Sequence, residues 1–496
     1  MRRVSFLSYA LVVVLVTTLS GCTILKTGSP RLPRIFKPEN VPTGKRPLIV
    51  VPGILGTRLR QKSGEVVWPA RFGPAKASLS LPIADPSRPI ENDELETDGI
   101  VEQAKFFRLG PEIQFYSELL TTLDRFGGYR RGDIDHPSAD GYQDTFYVFA
   151  YDWRKDNVYS GRELARAIKR LKQTFHRPDL KFDIVSHSMG GLVSRYALMY
   201  GDADLPAQGQ LTPDWSLARD VSRLFMFGTP NQGSLDALST LINGYSVLGT
   251  NWPQLKLLSV LDADTVFTSP SVYQLLPHEG SRWLLDENLT PSGESLFEVE
   301  TWRKYSWSVA FDASYKARET RNLHKEEKRL LKQKDPTAED KLEALREKFE
   351  REQRAREPFL KSALARARRF HQALDVNTKL PPGLSYIVFG GDCEETLQSA
   401  VVRNIKGEWK TFFRVSRGLG NSHLRSIAAK EMFSPGDGRV TRQSLFGIPL
   451  DRQGKHGLST LPTPAHAVFA CEWHGDLPLA SVLQDNLLTI LFNNSF

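Results

Sequence analysis

Ser186-His187-Ser188-Met189-Gly190 is the feature that most constrains this chain. Phe182 to Val185 before it is short, apolar and β-branched at two positions, as a buried parallel strand should be, and Leu192 to Tyr200 after it has helical spacing. A strand that runs directly into a helix must turn sharply, and the turn lifts one serine hydroxyl clear of the sheet. Only small side chains fit beside such a turn. Ser186 stands where the G-x-S-x-G pattern has its first glycine, and it is small enough to fit. Ser188 is therefore the candidate nucleophile. The competing reading is a chance match of five residues, and the flanking strand and helix weigh against it.

The rest of the chain alternates strand and helix, which predicts an α/β fold with a mainly parallel sheet covered on both faces. Pro47 to Val51 is one strand, closed by the glycine-bracketed turn Pro52-Gly53-Ile54-Leu55-Gly56. Ile113 to Phe126 reads as an amphipathic helix stopped by Gly127 and Gly128, and Thr145 to Tyr151 as the next strand. Ser160-Gly161-Arg162-Glu163 matches a capping box, with Leu164, Ile168, Leu171 and Phe175 forming one apolar helical face behind it. Leu224 to Phe227, Tyr386 to Phe389 and Ala467 to Cys471 are further strands, and a helix from Leu479 to Phe492 ends the pattern. Asp152-Trp153-Arg154 reads as a structural group near the sheet edge rather than as catalytic residues.

Residues 241–382 break the alternation and read as a cap between a first core part, 47–240, and a second, 383–496. From Ser314 to Gln372 there are 18 Lys and Arg against 11 Asp and Glu, an excess of seven within a formal chain charge of +8. Glu347 and Arg351, Glu350 and Arg354, and Glu352 and Arg356 stand four apart, the spacing of an exposed helix, and Leu342, Leu345 and Phe349 give it a thin apolar seam. Two readings of this arm, 314–372, stay open: a solvated helical hairpin, or a basic surface that docks on anionic phospholipid headgroups.

At the start, Arg2 and Arg3 precede an apolar run from Val4 to Leu19 that is too short to span a bilayer securely. It reads as a signal peptide, residues 1–21. Leu19-Ser20-Gly21-Cys22 resembles the lipobox of bacterial lipoproteins, which implies a lipidated Cys22 and an exported, membrane-anchored protein at the periplasmic face of an outer membrane or at the cell surface. A plain signal peptide is the alternative. Residues 22–46, with Pro30, Pro33, Pro38 and Pro42, read as an extended tether. The remaining cysteines, Cys393 and Cys471, have no zinc spacing, and export favours pairing over metal binding. No phosphate loop or second long apolar run is present, so neither a cofactor nor a nucleic-acid partner is expected.

A serine nucleophile needs a base and an acid to orient it, and in this kind of fold both follow it in the chain, acid first. Asp392 comes directly after the strand Tyr386 to Phe389, and Asp437 lies between Gly436 and Gly438; position alone does not separate them. Among the later histidines, His456 sits in a polar loop and His466 opens the last strand. His474 follows that strand, at the carboxyl end where chemistry collects, and is favoured.

With these residues in view the chain resembles the lecithin:cholesterol acyltransferase family of α/β-hydrolases, in a bacterial lipoprotein version. The likeness rests on Val51 to Gly56, Tyr151 to Arg154, Ser186 to Gly190, Gly228 to Ser234, Ser269 to Pro277 and Gly436 to Val440. It implies an α/β-hydrolase fold with a large, partly helical cap, Ser188 as nucleophile, Asp437 as acid and His474 as base. It also implies an oxyanion hole from the N–H groups of Leu55 and Met189. The implied chemistry is ester cleavage or acyl transfer on lipid esters through an acyl-enzyme, with a lipid or ester substrate and the membrane as partners. In this fold the last two strands are neighbours, which brings Cys393 and Cys471 within pairing reach; a disulfide and two free thiols both stand open. The competing class is a catalytically silent binding lipoprotein on the same fold.

Overall fold

The computed structural model describes residues 29–69, 79–88, 93–104, 113–138, 141–246, 259–333, 336–451 and 453–493. The expected signal segment, the lipobox and Cys22 lie outside these.

Short apolar runs build one sheet of 7 strands: β1 (Leu48–Val51), β2 (Arg130–Arg131), β3 (Thr145–Val148), β4 (Phe182–His187), β5 (Val221–Phe227), β6 (Ser385–Gly391) and β7 (His466–Ala470). Its spatial order is β7-β6-β5-β4-β1-β3-β2 and every pairing is parallel. The period of two along each strand sorts side chains onto two faces. Ile49, Val51, Ile184, Leu224 and Met226 join the cluster containing helices α2 (Asn157–Thr174) and α3 (Met189–Tyr200). Leu48, Val50, Val185, Phe225, Phe227 and Phe389 face α1 (Ser117–Arg125) and α6 (Ser481–Phe492). Each side chain of this size, once fully buried, stabilises the fold by about 1.5 to 3 kcal/mol. The fold is an α/β-hydrolase with a cap.

Register aligns the strand ends that matter. Val51 lies opposite Ser186, His187 opposite Phe227, Phe227 opposite Phe389, and Gly391 opposite Ala470. The turn at Gly53, the residue Ser188, the turn at Gly228 and the segment 471–474 therefore leave the sheet at one edge.

The cap between β5 and β6 holds a hairpin of two long helices, α4 (Ala313–Lys332) and α5 (Ala338–Leu374). The first half of α5 is exposed or half-buried, whereas Phe359, Leu360, Leu364, Phe370 and Leu374 are buried. Its end is fixed to α3, where Arg195 donates to Leu374 O at 2.7 Å and Tyr200 donates to Ala373 O at 2.9 Å. Leu284–Leu285 of the cap pairs with Ala400–Val401, so the cap also shares a small sheet with the second core part.

Several local expectations are corrected. The helix expected from Ile113 begins at Ser117, because Ile113–Gln114 pairs as a strand with Gln103–Ala104. The capping box at Ser160 does not form. Asp156 caps α2 instead, accepting from Val158 N at 2.7 Å, and Ser160 lies within the first turn and a half. The tether is not extended over its described part: Leu32 and Phe36 are buried, and the Phe36 ring meets Phe492 edge-on with centroids 5.5 Å apart. Those apolar side chains outweigh the extended bias of the prolines.

The arm's charge is distributed differently from the expected basic surface. Up to Ala355 there are 13 Lys and Arg against 10 Asp and Glu, so four of the seven surplus charges lie inward. There Arg356 pairs with Asp264 at 3.2 Å, Arg366 with Asp156 at 2.7 Å and Asp204 at 2.8 Å, and Arg368 with Glu298 at 2.7 Å. Of the spaced pairs, Glu350 and Arg354 meet at 3.3 Å, whereas Arg356 turns to Asp264 and Glu352 lies 3.9 Å from Lys348. The exposed half of the hairpin is charge-mixed, which supports the solvated reading.

Candidate active site

Ser188 occupies the turn between β4 and α3 at φ 53°, a left-handed conformation that non-glycine residues rarely adopt. Its N–H donates to Phe227 O at 2.7 Å, and its carbonyl accepts from Gly191 N at 3.0 Å. Close approach explains the small residues around it. A Cβ on Gly190 would stand 2.6 Å from Val51 O, and one on Gly53 would stand 2.8 Å from Ser188 Cβ. The departure at Ser186 has its own partner: its buried hydroxyl lies 2.7 Å from Ser194 Oγ, which donates to Gly190 O at 2.8 Å.

Beyond β7, the segment to His474 folds back over the sheet edge, and its backbone N–H donates to Asp437 O at 2.8 Å. Ser188 Oγ is 2.9 Å from His474 Nε2, and His474 Nδ1 is 2.8 Å from Asp437 Oδ2. Asp437 arrives by an excursion: Glu394–Leu397 leaves β6 and pairs antiparallel with Phe433–Gly436, which delivers the next residue to the end of the sheet. Its Oδ1 accepts from Arg439 N at 3.0 Å and Val440 N at 2.7 Å, leaving Oδ2 for the histidine. Gly228, at φ 57°, lies under the pair; a Cβ there would be 3.0 Å from both Asp437 Oδ2 and His474 Cε1.

The other candidate acid and histidines do not join this hydrogen-bond run. Asp392 is part-exposed, with Arg442 at 4.0 Å, and does not bond His474. His466 begins β7 at the far end of the sheet, and His456 is exposed. Cys393 and Cys471 are joined by a disulfide with Cα atoms 5.2 Å apart, which ties the end of β6 to the segment carrying His474. Asp152 and Arg154 form a buried ion pair at 2.7 Å that also takes in Asp93 at 2.8 Å, and Trp153 is fully buried.

The turn carrying Leu55 is held from both sides. Leu55, at φ 65°, accepts from Trp68 Nε1 through its carbonyl at 2.8 Å, and Gly56 N donates to Gly53 O at 3.0 Å. Met189 is the first residue of α3, so its N–H has no partner within the helix. Gly53 N donates to Tyr116 Oη at 2.8 Å, and that hydroxyl lies 2.8 Å from His187 Nδ1. Neither Tyr116 nor His187 was singled out by the sequence. His187 is inside the serine motif, but Tyr116 is distant in the chain and has no local signal.

The lecithin:cholesterol acyltransferase family model matches residues 120–381, more than half of the chain. The chain belongs to the lecithin:cholesterol acyltransferase family. Comparison with curated proteins gave no match. Among solved structures, a Tle4-Tli4 complex aligns over 92% of this chain and 100% of the other at 14% identity, with a TM-score of 0.45. The mature form of the Bacillus licheniformis lipase BlEst2 aligns over 92% and 95% at 13% identity, with a TM-score of 0.32. Family membership makes the acyl ester hydrolases and acyltransferases the class to which this member belongs.

Proposed function

We propose that this member cleaves lipid esters with Ser188 as nucleophile, His474 as general base and Asp437 as its orienting acid, passing through an acyl-enzyme. The observation that carries the reading is the unbroken hydrogen-bond run from Ser188 Oγ through His474 to Asp437, at 2.9 and 2.8 Å. With Nδ1–H donated to Asp437, the lone pair on Nε2 points at the serine hydroxyl and can take its proton as Oγ attacks the ester carbonyl. The tetrahedral oxyanion would be met by the N–H groups of Leu55 and Met189, each worth about 3 kcal/mol or more of transition-state stabilisation. His474 then returns the proton to the leaving alkoxide. Water or a second alcohol, deprotonated by the same nitrogen, releases the acyl group.

The N-terminal reading is part of this proposal: Cys22 carries lipid and holds the exported enzyme at a membrane, which presents lipid esters at high local concentration. The Cys393–Cys471 disulfide supports export, since such bonds persist in oxidising compartments. The test is ester hydrolysis by wild type and Ser188→Ala, followed by mass spectrometry of products from mixed lipids. Loss of every released product in the variant is expected, and retained turnover would sink the serine mechanism.

A further inference from the structure

The mechanism above leaves His187 and Tyr116 without a task, yet the two join parts of the site that come from different regions of the chain. His187 Nε2 lies 3.0 Å from the backbone carbonyl of His474, its Nδ1 lies 2.8 Å from Tyr116 Oη, and Tyr116 Oη lies 2.8 Å from Gly53 N. A carbonyl only accepts, so His187 Nε2 carries the proton. In the neutral ring Nδ1 is then an acceptor and the Tyr116 hydroxyl donates to it. The hydroxyl oxygen is left to accept from the Gly53 N–H. Every proton in the run has one direction.

Burial favours that state. Desolvation, with the His474 ring centroid 5.0 Å away, pushes the His187 imidazole down to about 3. Tyr116, 3% exposed, is pushed well above the usual phenol range by burial. A neutral imidazole and an un-ionised phenol thus persist over the whole range in which an esterase works.

We propose that Tyr116 and His187 are positioning residues that lock the turn bearing the oxyanion donor to the backbone of the catalytic histidine. The inference rests on the Ser188 mechanism proposed above. Gly53 begins the turn whose fourth residue is Gly56, and a Cβ on it would stand 2.8 Å from Ser188 Cβ, so fixing the Gly53 N–H fixes where Leu55 stands relative to the attacking oxygen. The other end of the run holds His474 by its carbonyl, independently of Asp437. One rigid path therefore sets the distance between the general base and the oxyanion donor, and that distance matters most in the tetrahedral state.

The test uses the full chain carrying Tyr116→Phe, His187→Gln or His187→Leu, with thermal melting to establish folding. Tyr116→Phe should lower kcat on a p-nitrophenyl ester about 10- to 100-fold with KM within about twofold, less than outright loss of an oxyanion donor costs. The rate of covalent labelling by an alkyl phosphonate, which mimics the tetrahedral state, should fall in the same proportion. A glutamine at 187 can both donate and accept, so His187→Gln should retain about tenfold more activity than His187→Leu. A merely structural role would lower melting temperature without separating kcat from KM. Unchanged kcat and labelling rate in a folded Tyr116→Phe protein would overturn the inference. If that variant does not fold, equal activity of the two His187 variants would do so. Failure of the underlying mechanism looks different: wild type would then not be labelled at Ser188.

Discussion

Asp437→Asn is the perturbation whose outcome the geometry specifies most closely. The Oδ1 position accepts two backbone N–H groups, from Arg439 at 3.0 Å and Val440 at 2.7 Å. An asparagine must keep its carbonyl oxygen there, because turning the amide nitrogen toward two donors would cost two hydrogen bonds in a site 1% exposed. The amide NH2 is then presented to His474 Nδ1, 2.8 Å away in the native pair. Nδ1 must become the acceptor, the ring proton moves to Nε2, and Nε2 can no longer take a proton from Ser188. A tautomer switch of this kind lowers kcat by about 10⁴, or about 5.5 kcal/mol of barrier, with the backbone geometry intact. The assay is steady-state hydrolysis of a p-nitrophenyl ester, with melting as the control for folding. Asp392→Asn should stay within about threefold of wild type, since it touches no member of the site. A folded Asp437→Asn enzyme within tenfold of wild type, or a larger loss at Asp392, would refute the assignment.

Gly53→Ala should abolish ester turnover in a protein that still folds, because its Cβ would stand 2.8 Å from Ser188 Cβ; wild-type kcat would contradict the packing. Cys393→Ala should lower stability by roughly 4 to 5 kcal/mol on chain-entropy grounds, the bond closing a separation of 78 residues, and thiol titration of denatured wild type should find neither Cys393 nor Cys471 free. Unfolding followed from pH 7.5 to 4.5 should show stability falling with acid: the unfolded chain protonates its histidines near 6.5, while His187 resists until about 3 and burial holds His371 well below its usual value. Each contributes up to about 1.4 kcal/mol per pH unit, so His371→Gln should flatten the slope, and an unchanged slope would count against its burial in the neutral form. Cys22→Ser should release the protein from membranes or stall its processing; an unmodified Cys22 in mature wild-type protein would disprove the anchor.

Much of this fold could be read from the chain because its signals are local. A parallel strand buried on both faces is a run such as Leu48 to Val51, and a sharp strand-to-helix turn demands the small residues of Ser186 to Gly190. What depended on distant partners could not be read. Asp392 and Asp437 were equivalent by position, and only the pairing of Phe433–Gly436 with Glu394–Leu397 carries one of them to the histidine. α2 starts before the expected Ser160 because Asp156, one turn earlier, also suits a cap, and its carboxylate additionally binds Arg366. The basic surplus reads as a surface property because a charge count cannot see that Asp156, Asp204, Asp264 and Glu298, far apart in the chain, pair with Arg356, Arg366 and Arg368 of its inner half.

The hairpin of α4 and α5 has a definable root. Tyr315 near the start of α4 and Arg356 midway along α5 both bind Asp264, and the deeply buried face of α5 begins just beyond, at Phe359. Outward from that clasp, the described residues of the two helices are exposed or half-buried, and the helices pack on each other. Whole turns could be added or removed there in matched pairs without disturbing a core contact, at the small cost of lengthening an exposed excursion. The reach of the hairpin can thus change without loss to the core, whereas the clasp and the packing inside it cannot.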